Sequence, residues 1–266
     1  MTRFLRIFTV TLLVALAASP VIAAEDGNSA ERHAAADVLA QQFLPNGAYP
    51  VATPESALQV FQRRSQQQRL AAVEYSDTTI IHADLPDTSQ SGEYELRRRY
   101  VAPKTLEFKP VRYSGDSFVK TNIMIRLLQS EVDHVTKEDG AQTAITSDNY
   151  KFKHKFTMSG EGHTTYVYDV KPRKKRPGLF KGRIWVDAST GALRRAEGTL
   201  VKSPSFFIKR LDFVQDYEEL DGMVLPTHLH SVSKVRIIGR AVVDIFHRDY
   251  TASNLTSATE VASGTR

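Results

Sequence analysis

The 266-residue chain contains no cysteine and a single tryptophan. Without cysteine there is no disulfide, no thiol nucleophile and no lipid-modified cysteine of the kind that anchors a bacterial lipoprotein. Charge of one dominant sign is also missing, since 35 Lys and Arg stand against 30 Asp and Glu. A nucleic-acid polyelectrolyte is therefore excluded as a class. No glycine-rich phosphate loop and no nucleophile-elbow serine occurs, so the motif-borne hydrolases and nucleotide enzymes lose their signatures. No apolar run reaches the roughly 20 residues that cross a bilayer as a helix.

The longest apolar run lies at the start of the chain. Arg3 and Arg6 precede the uncharged stretch Ile7 to Ala18, followed by Ser19, Pro20 and small residues at Val21, Ala23 and Ala24. That order of basic, apolar and small-residue regions is the pattern of a secretory signal peptide over residues 1–24, cleaved after Ala23 or Ala24. Cleavage takes the net charge from +5 to +3 as Arg3 and Arg6 leave. The mature protein is then an exported, soluble chain that depends on its hydrophobic core for stability, since no disulfide is available.

Residues 25–50 read as a polar segment with one short Ala-rich helix over Glu31 to Phe43, ended by Pro45, Gly47 and Pro50. A second helix has a clear start signal. Thr53 is placed to cap it, Pro54 takes the first helical position, and Leu58, Phe61 and Leu70 form an apolar stripe. From Val73 the hydrophobic period changes to two, giving the strand candidates VEYSDTTIIHADL, EYELRRRYVAP and TLEFKPVRYS. One helix, Phe118 to Val135, follows, with Val119, Ile123, Leu127 and Leu128 on or near one face. Seven more strand candidates succeed one another to Tyr250, joined by turn chemistry at Asp187 to Gly191 and Leu220 to Gly222. Residues 51–250 are read as a single domain, and 251–266, rich in Ser, Thr and Ala, as a disordered tail.

The strands have one apolar and one mixed face: Tyr166, Tyr168 and Val170 share a side, as do Phe180, Ile184 and Val186 with Gly182. A long antiparallel sheet of this type curls to hide its apolar side. The expected fold is therefore mainly β with a few helices (α+β), an incomplete, curled antiparallel β-barrel whose helices cover the concave apolar face.

The stretch Lys171 to Arg240, with PGLF-x-GRIWVD, KSPSF-x-IKR-x-DF and the later LP, HS and GRA elements, resembles exported bacterial proteins related to the outer-membrane lipoprotein-sorting proteins. The resemblance implies a half-barrel in the periplasm that holds acyl chains in an apolar interior, without enzymatic chemistry and without a cofactor. No individual site residue is carried over from that family. The expected role is a carrier of lipoprotein acyl chains or another lipid, served by membrane-bound donor and acceptor proteins and acting as a monomer. The rival readings are an envelope protein that senses or scaffolds lipoproteins on the same fold and, more distantly, a secreted metal-dependent hydrolase.

Candidate ligand-lining residues follow from the face assignment: Tyr166, Tyr168, Ile184 and Val186 on the sheet, with Ile123 and Leu127 on the covering helix. The basic run Arg173, Lys174, Lys175 and Arg176, beside Leu179 and Phe180, is a candidate contact for lipid headgroups. His228 and His230 share a side of their strand, but Asp244 and His247 alternate to opposite sides of the next, which argues against a zinc set and for a solvated face. No catalytic residue and no metal site is assigned, and the pair Glu93 and Glu95 is read as solvated charge.

Overall fold

The computed structural model describes residues 53–70, 73–137, 140–160, 163–203, 206, 208–236 and 238–254. Residues 1–24, expected to be a signal peptide, residues 25–50, where a polar segment with a short helix is expected, and residues 255–266 lie outside them. Helix α1 (Pro54–Leu70) is followed by β1 (Val73–Leu85), β2 (Gln90–Val101) and β3 (Thr105–Gly115). Next come α2 (Ser117–Val119), a π-helical turn (Lys120–Met124), α3 (Ile125–Thr136) and the short α4 (Gly140–Thr143). Seven strands complete the chain: β4 (Tyr150–Gly160), β5 (His163–Pro172), β6 (Phe180–Asp187), β7 (Leu193–Leu200), β8 (Ile208–Leu220), β9 (Met223–Val235) and β10 (Gly239–Asn254).

All ten strands form one antiparallel sheet in the order β3-β2-β1-β10-β9-β8-β7-β6-β5-β4, with β3 and β4 as its two open edges. The sheet is the curled, unclosed half-barrel that the alternation predicts. β10 continues to Asn254 opposite Val73, so residues 251–254, read above as the start of the tail, are strand.

Curl comes from bulges and from a pair of facing glycines. Bulges interrupt β1 at Ser76/Thr78, β2 at Glu95/Leu96 and β4 at His154/Phe156, each adding local twist. Gly182 and Gly198 oppose each other on β6 and β7, where a Cβ on Gly182 would stand 1.8 Å from the Glu197 carbonyl oxygen. Only glycine permits that approach, and it brings the two strands round under the Phe180 ring.

The inner face follows the period-two pattern. Ile81, Ala83, Leu85, Tyr94, Leu96, Tyr166, Tyr168, Phe180, Ile184, Val186, Phe213, Leu229, Val243 and Ile245 belong to one buried apolar cluster with Ala57, Phe61, Val119, Met124, Leu127 and Leu128 from the helices. Burial of this surface is the main stabilising term.

The helices cover two different parts of this face. α1 starts as the sequence predicts, with the Ser56 amide donating to Thr53 Oγ1 at 3.2 Å. It is fastened along its length: Tyr168 Oη donates to the Pro54 carbonyl at 2.5 Å, Arg64 donates to the carbonyls of Thr190 (3.1 Å) and Gly222 (2.9 Å), and Gln68 exchanges two 2.9 Å hydrogen bonds with the Val224 backbone. The two turns that anchor it are those singled out by composition. Asp187 Oδ1 accepts from the Ser189 and Thr190 amides, and Asp221 and Gly222 both take positive φ, as a tight two-residue hairpin requires. The α2–α3 segment covers the other part.

Candidate functional site

Beneath α2–α3 the concave face holds a slot of about 40 Å³. Ile123 and Leu127 line it from the helical side, and Ile208, Leu211, Leu229 and Val243 are among the strand residues that close it. Ser231 and Ser233 are its only hydroxyl-bearing lining residues. Of the six residues predicted to line a ligand space, the structure therefore brings two, Ile123 and Leu127, to this slot. Tyr166, Tyr168, Ile184 and Val186 lie in the same apolar cluster but are buried on the half of the sheet that α1 covers.

Beside the slot, the apolar face contains an ionic network that composition alone did not suggest. β2 presents Tyr94, Leu96, Arg98 and Tyr100 inward, so the middle residue of Arg97-Arg98-Arg99 points into the core. β1 presents Asp77 and Thr79 in line with Ile81, and Asp77 pairs with Arg98 in the register of the two strands. Arg98 Nε donates to Asp77 Oδ2 at 2.6 Å, Nη1 to Glu131 Oε1 at 3.3 Å, and Nη2 to Tyr250 Oη at 3.1 Å. Tyr250 Oη in turn donates to the Pro226 carbonyl at 2.5 Å. The Asp77 side chain is fully enclosed, and its Oδ1 accepts from Thr79 Oγ1 (2.7 Å) and from His247 Nδ1 (3.1 Å). Tyr75 lies under the guanidinium at 5.5 Å and stacks toward Tyr100. Every charge is paired, as burial demands.

The network ties the covering helix to the sheet. Asp77, Arg98 and His247 come from β1, β2 and β10, whereas Glu131 comes from α3, so the Arg98–Glu131 pair is an ionic bond between the covering helix and the sheet. Burial pushes the Glu131 carboxyl above its ordinary range, an effect that Arg98 offsets only in part. Burial also raises Asp77, but the His247 hydrogen bond and the Arg98 charge outweigh it and hold that carboxyl below its usual value. His247 is driven down to about 4, first by burial and then by Arg98, and so it is neutral with Nδ1–H pointing at Asp77.

The histidines of the zinc question separate. His247 turns inward, and His228, His230 and Asp244 gather on the outer face, where His228 Nε2 and His230 Nδ1 both donate to Asp244 Oδ1 at 2.9 Å. Phe246 stacks on the His228 ring at 4.4 Å. Among the described residues no group of three or more His, Asp or Glu is arranged to hold a metal ion. Glu93 and Glu95 are both met by Arg112 on the outer face. The basic run forms the β5–β6 connection, with Arg173, Lys174 and Lys175 exposed and Arg176 half-buried.

Sequence reasoning overlooked Asp77, Arg98 and Glu131, and met His247 only as a zinc ligand to be set aside. The signal was available for two of them: Arg98 falls in the apolar phase of Tyr94, Leu96 and Tyr100, and Asp77 in that of Ile81 and Ala83. A charge at an inward position is a request for a partner. The partners come from α3 and from β10, 33 and 170 residues away along the chain, and no local pattern announces them.

No family model and no curated protein matches the sequence. Among solved structures, the chain is similar to a LolA superfamily protein from Nitrosomonas europaea, with 12% identity over 73% of this chain and 92% of that one and a TM-score of 0.36. It is similar to a domain from Vibrio parahaemolyticus described as outer membrane lipoprotein-sorting, with 14% identity over 77% and 95% and a TM-score of 0.40. A DUF1329 family protein from Desulfovibrio piger gives 14% identity over 76% and 93% and a TM-score of 0.39. Among the described residues, no helix is long and apolar enough to cross a membrane.

Proposed function

We propose that the protein is an exported, non-enzymatic carrier that takes the acyl chains of lipoproteins, or another lipid, into the concave face of its half-barrel and passes them on toward the outer membrane. The observation that carries this reading is a lid: an amphipathic helical segment lying over an apolar slot, its contacts to the wall behind it including the Arg98–Glu131 ion pair. The slot as it stands, at about 40 Å³, is roughly an order of magnitude below the ~300 Å³ where ligand pockets begin. Loading therefore requires α2–α3 to move outward.

Three features favour that motion. Exposed Phe118 and Ile125 leave part of the segment's apolar surface already in water. The π-helical turn interrupts its regular hydrogen bonding at Lys120 to Met124, a common place for a helix to hinge or bend. The Arg98–Glu131 contact, at 3.3 Å, is longer than the 2.6 Å Arg98–Asp77 contact within the wall, so lifting the lid leaves Arg98 with its closer partner. In this reading Ile123 and Leu127 meet the cargo first. Tyr166, Tyr168, Ile184 and Val186 form the far end of the interior, reached only by a long chain. Membrane-bound donor and acceptor proteins would load and empty the site.

Lipid extraction and native mass spectrometry of the exported protein test the reading. Co-purified acyl species are expected, along with binding of a triacylated peptide by the emptied protein. Ser233→Val narrows the slot and is expected to weaken that binding severalfold, with the thermal midpoint followed alongside to register any overpacking. A protein that is clean after extraction and does not bind the triacylated peptide would end the carrier reading.

A further inference from the structure

The outer face of β4, β5 and β6 carries a second feature, independent of the slot and of the carrier reading. In the strand register Lys151 stands directly opposite Lys171. Lys181 lies one residue beyond the Val170–Gly182 pair, which places it next in the same cross-strand row. Three ammonium groups thus line up across three neighbouring strands, where like charges facing each other are destabilising.

The next row along the same face shows how such charge is ordinarily balanced. There Arg183 pairs with Asp169 at 3.5 Å and Glu197 at 4.0 Å, and Lys155 with Asp169 at 3.6 Å. Among the described residues no carboxylate lies within ion-pair distance of Lys151, Lys171 or Lys181, and all three are exposed. Lysines on an edge strand guard it against pairing with other chains, which accounts for Lys151 on β4. It does not account for Lys171 and Lys181 on interior strands. The row continues into the connection that bears exposed Arg173, Lys174 and Lys175.

Apolar side chains share this face. The bulge at His154/Phe156 shifts the alternation, so Phe156 pairs with Val167 and Met158 with Thr165 on the outer side, 40% and 51% exposed. A cationic row at one end of this face, with a ring and a thioether farther along it beyond the Asp169 row, four and six residues along β5 from Lys171, matches a surface whose anionic headgroups lie above an apolar layer.

From this geometry we infer that the outer face of β4–β6 docks the protein on an anionic lipid bilayer, with Lys151, Lys171 and Lys181 at the headgroups and Phe156 and Met158, at the other end of the same face, inserted into the apolar layer. Each lysine is expected to contribute about fivefold to binding, and raised salt should weaken it.

Co-sedimentation of the purified chain with vesicles of phosphatidylcholine, with and without phosphatidylglycerol, tests this. Binding is expected only to the anionic vesicles. The triple variant Lys151→Glu, Lys171→Glu, Lys181→Glu is expected to weaken it by roughly a hundredfold with an unchanged circular dichroism spectrum. Phe156→Ser with Met158→Ser should weaken it severalfold. A control with the same change in net charge, Lys104→Glu, Lys109→Glu and Lys137→Glu, should keep binding within about twofold, because those cations lie on and beside β3, at the opposite edge of the sheet, and only charge near the bilayer counts. Equal loss in the control, equal binding to neutral vesicles, or duplex DNA held as tightly as the anionic vesicles at the same salt would each overturn the assignment.

Discussion

The two covered halves of the concave face are built on different principles. On the α1 side the interior is apolar and aromatic: Phe180 meets Phe213 edge to face at 5.0 Å, and Ile184 and Val186 are fully buried. α1 is fixed by hydrogen bonds at both ends and in the middle. Under α2–α3 the interior contains a slot, two serines and the network of Asp77, Arg98, Glu131 and His247. A filled apolar interior is stabilising and hard to open. A paired ionic one contributes little net stability but defines one closed arrangement that can be left and regained. Under the proposed carrier function the molecule thus has a permanent half and a switching half.

The largest way to break the comparison is to orphan a charge in the switching half. Arg98→Leu leaves Asp77 enclosed without its cation and is expected to cost about 3–5 kcal/mol, read from urea unfolding. Adding Asp77→Ala to Arg98→Leu should restore part of that loss, because no fully enclosed charge then remains. If the single variant unfolds at the wild-type midpoint, the network is not sealed from water.

The permanent half should respond through packing instead. Ile184→Ala removes buried methylene and methyl groups where helix and sheet are tightly joined, and is expected to cost roughly 2–4 kcal/mol. No second-site deletion should rescue it, in contrast to the ionic pair, and the contrast between rescuable and non-rescuable loss separates the two constructions.

Acid distinguishes the halves without mutation. His247 has a folded-state pKa of about 4 against an ordinary 6.5, so the unfolded chain binds the proton first as pH falls. Its contribution is complete above pH 6.5 and is lost between 6.5 and 4, at most about 3 kcal/mol. Glu131 has the opposite sign. Its raised folded-state pKa makes the folded chain bind the proton first as pH falls toward 4.5, which offsets part of the loss. His247→Gln should flatten the decline in stability between pH 7 and 5, and Glu131→Gln should steepen it. The same slope in all three proteins would show that the network does not titrate as a unit.

These differences also explain what could be read from the sequence. The ten strands, the α1 cap at Thr53 and Pro54 and both anchoring turns were legible because each is written in adjacent residues: alternation, a capping pair, an Asp-Gly turn. The inward direction of Tyr168 and Ile184 followed from the same alternation. The division of the face between two helices was not legible, because which strands lie under α1 is decided by curl, and curl depends on bulges and on the meeting of Gly182 with Gly198 across two strands. The ionic network was legible only by half: Arg98 and Asp77 stand out in the apolar phase of their own strands, whereas Glu131 and His247 are unremarkable in theirs and acquire meaning only when β1, β2, β10 and α3 converge.

The smallest expected effect sharpens the point most. Arg97, Arg98 and Arg99 are chemically identical neighbours, yet alternation sends only the middle one inward. Arg99 lies outside, bound to Glu74 at 2.7 Å and Glu107 at 3.6 Å with half of its side chain in water. Solvent screens those pairs and replaces them readily, so Arg99→Ala should leave the urea midpoint within measurement error. Arg98 one position away has no such substitute, since the Asp77 side chain that it meets is fully enclosed. A measured loss for Arg99→Ala close to that for Arg98→Leu would mean that total charge on β2, rather than its placement inside the half-barrel, governs stability, and the distinction between a permanent and a switching half would have to be given up.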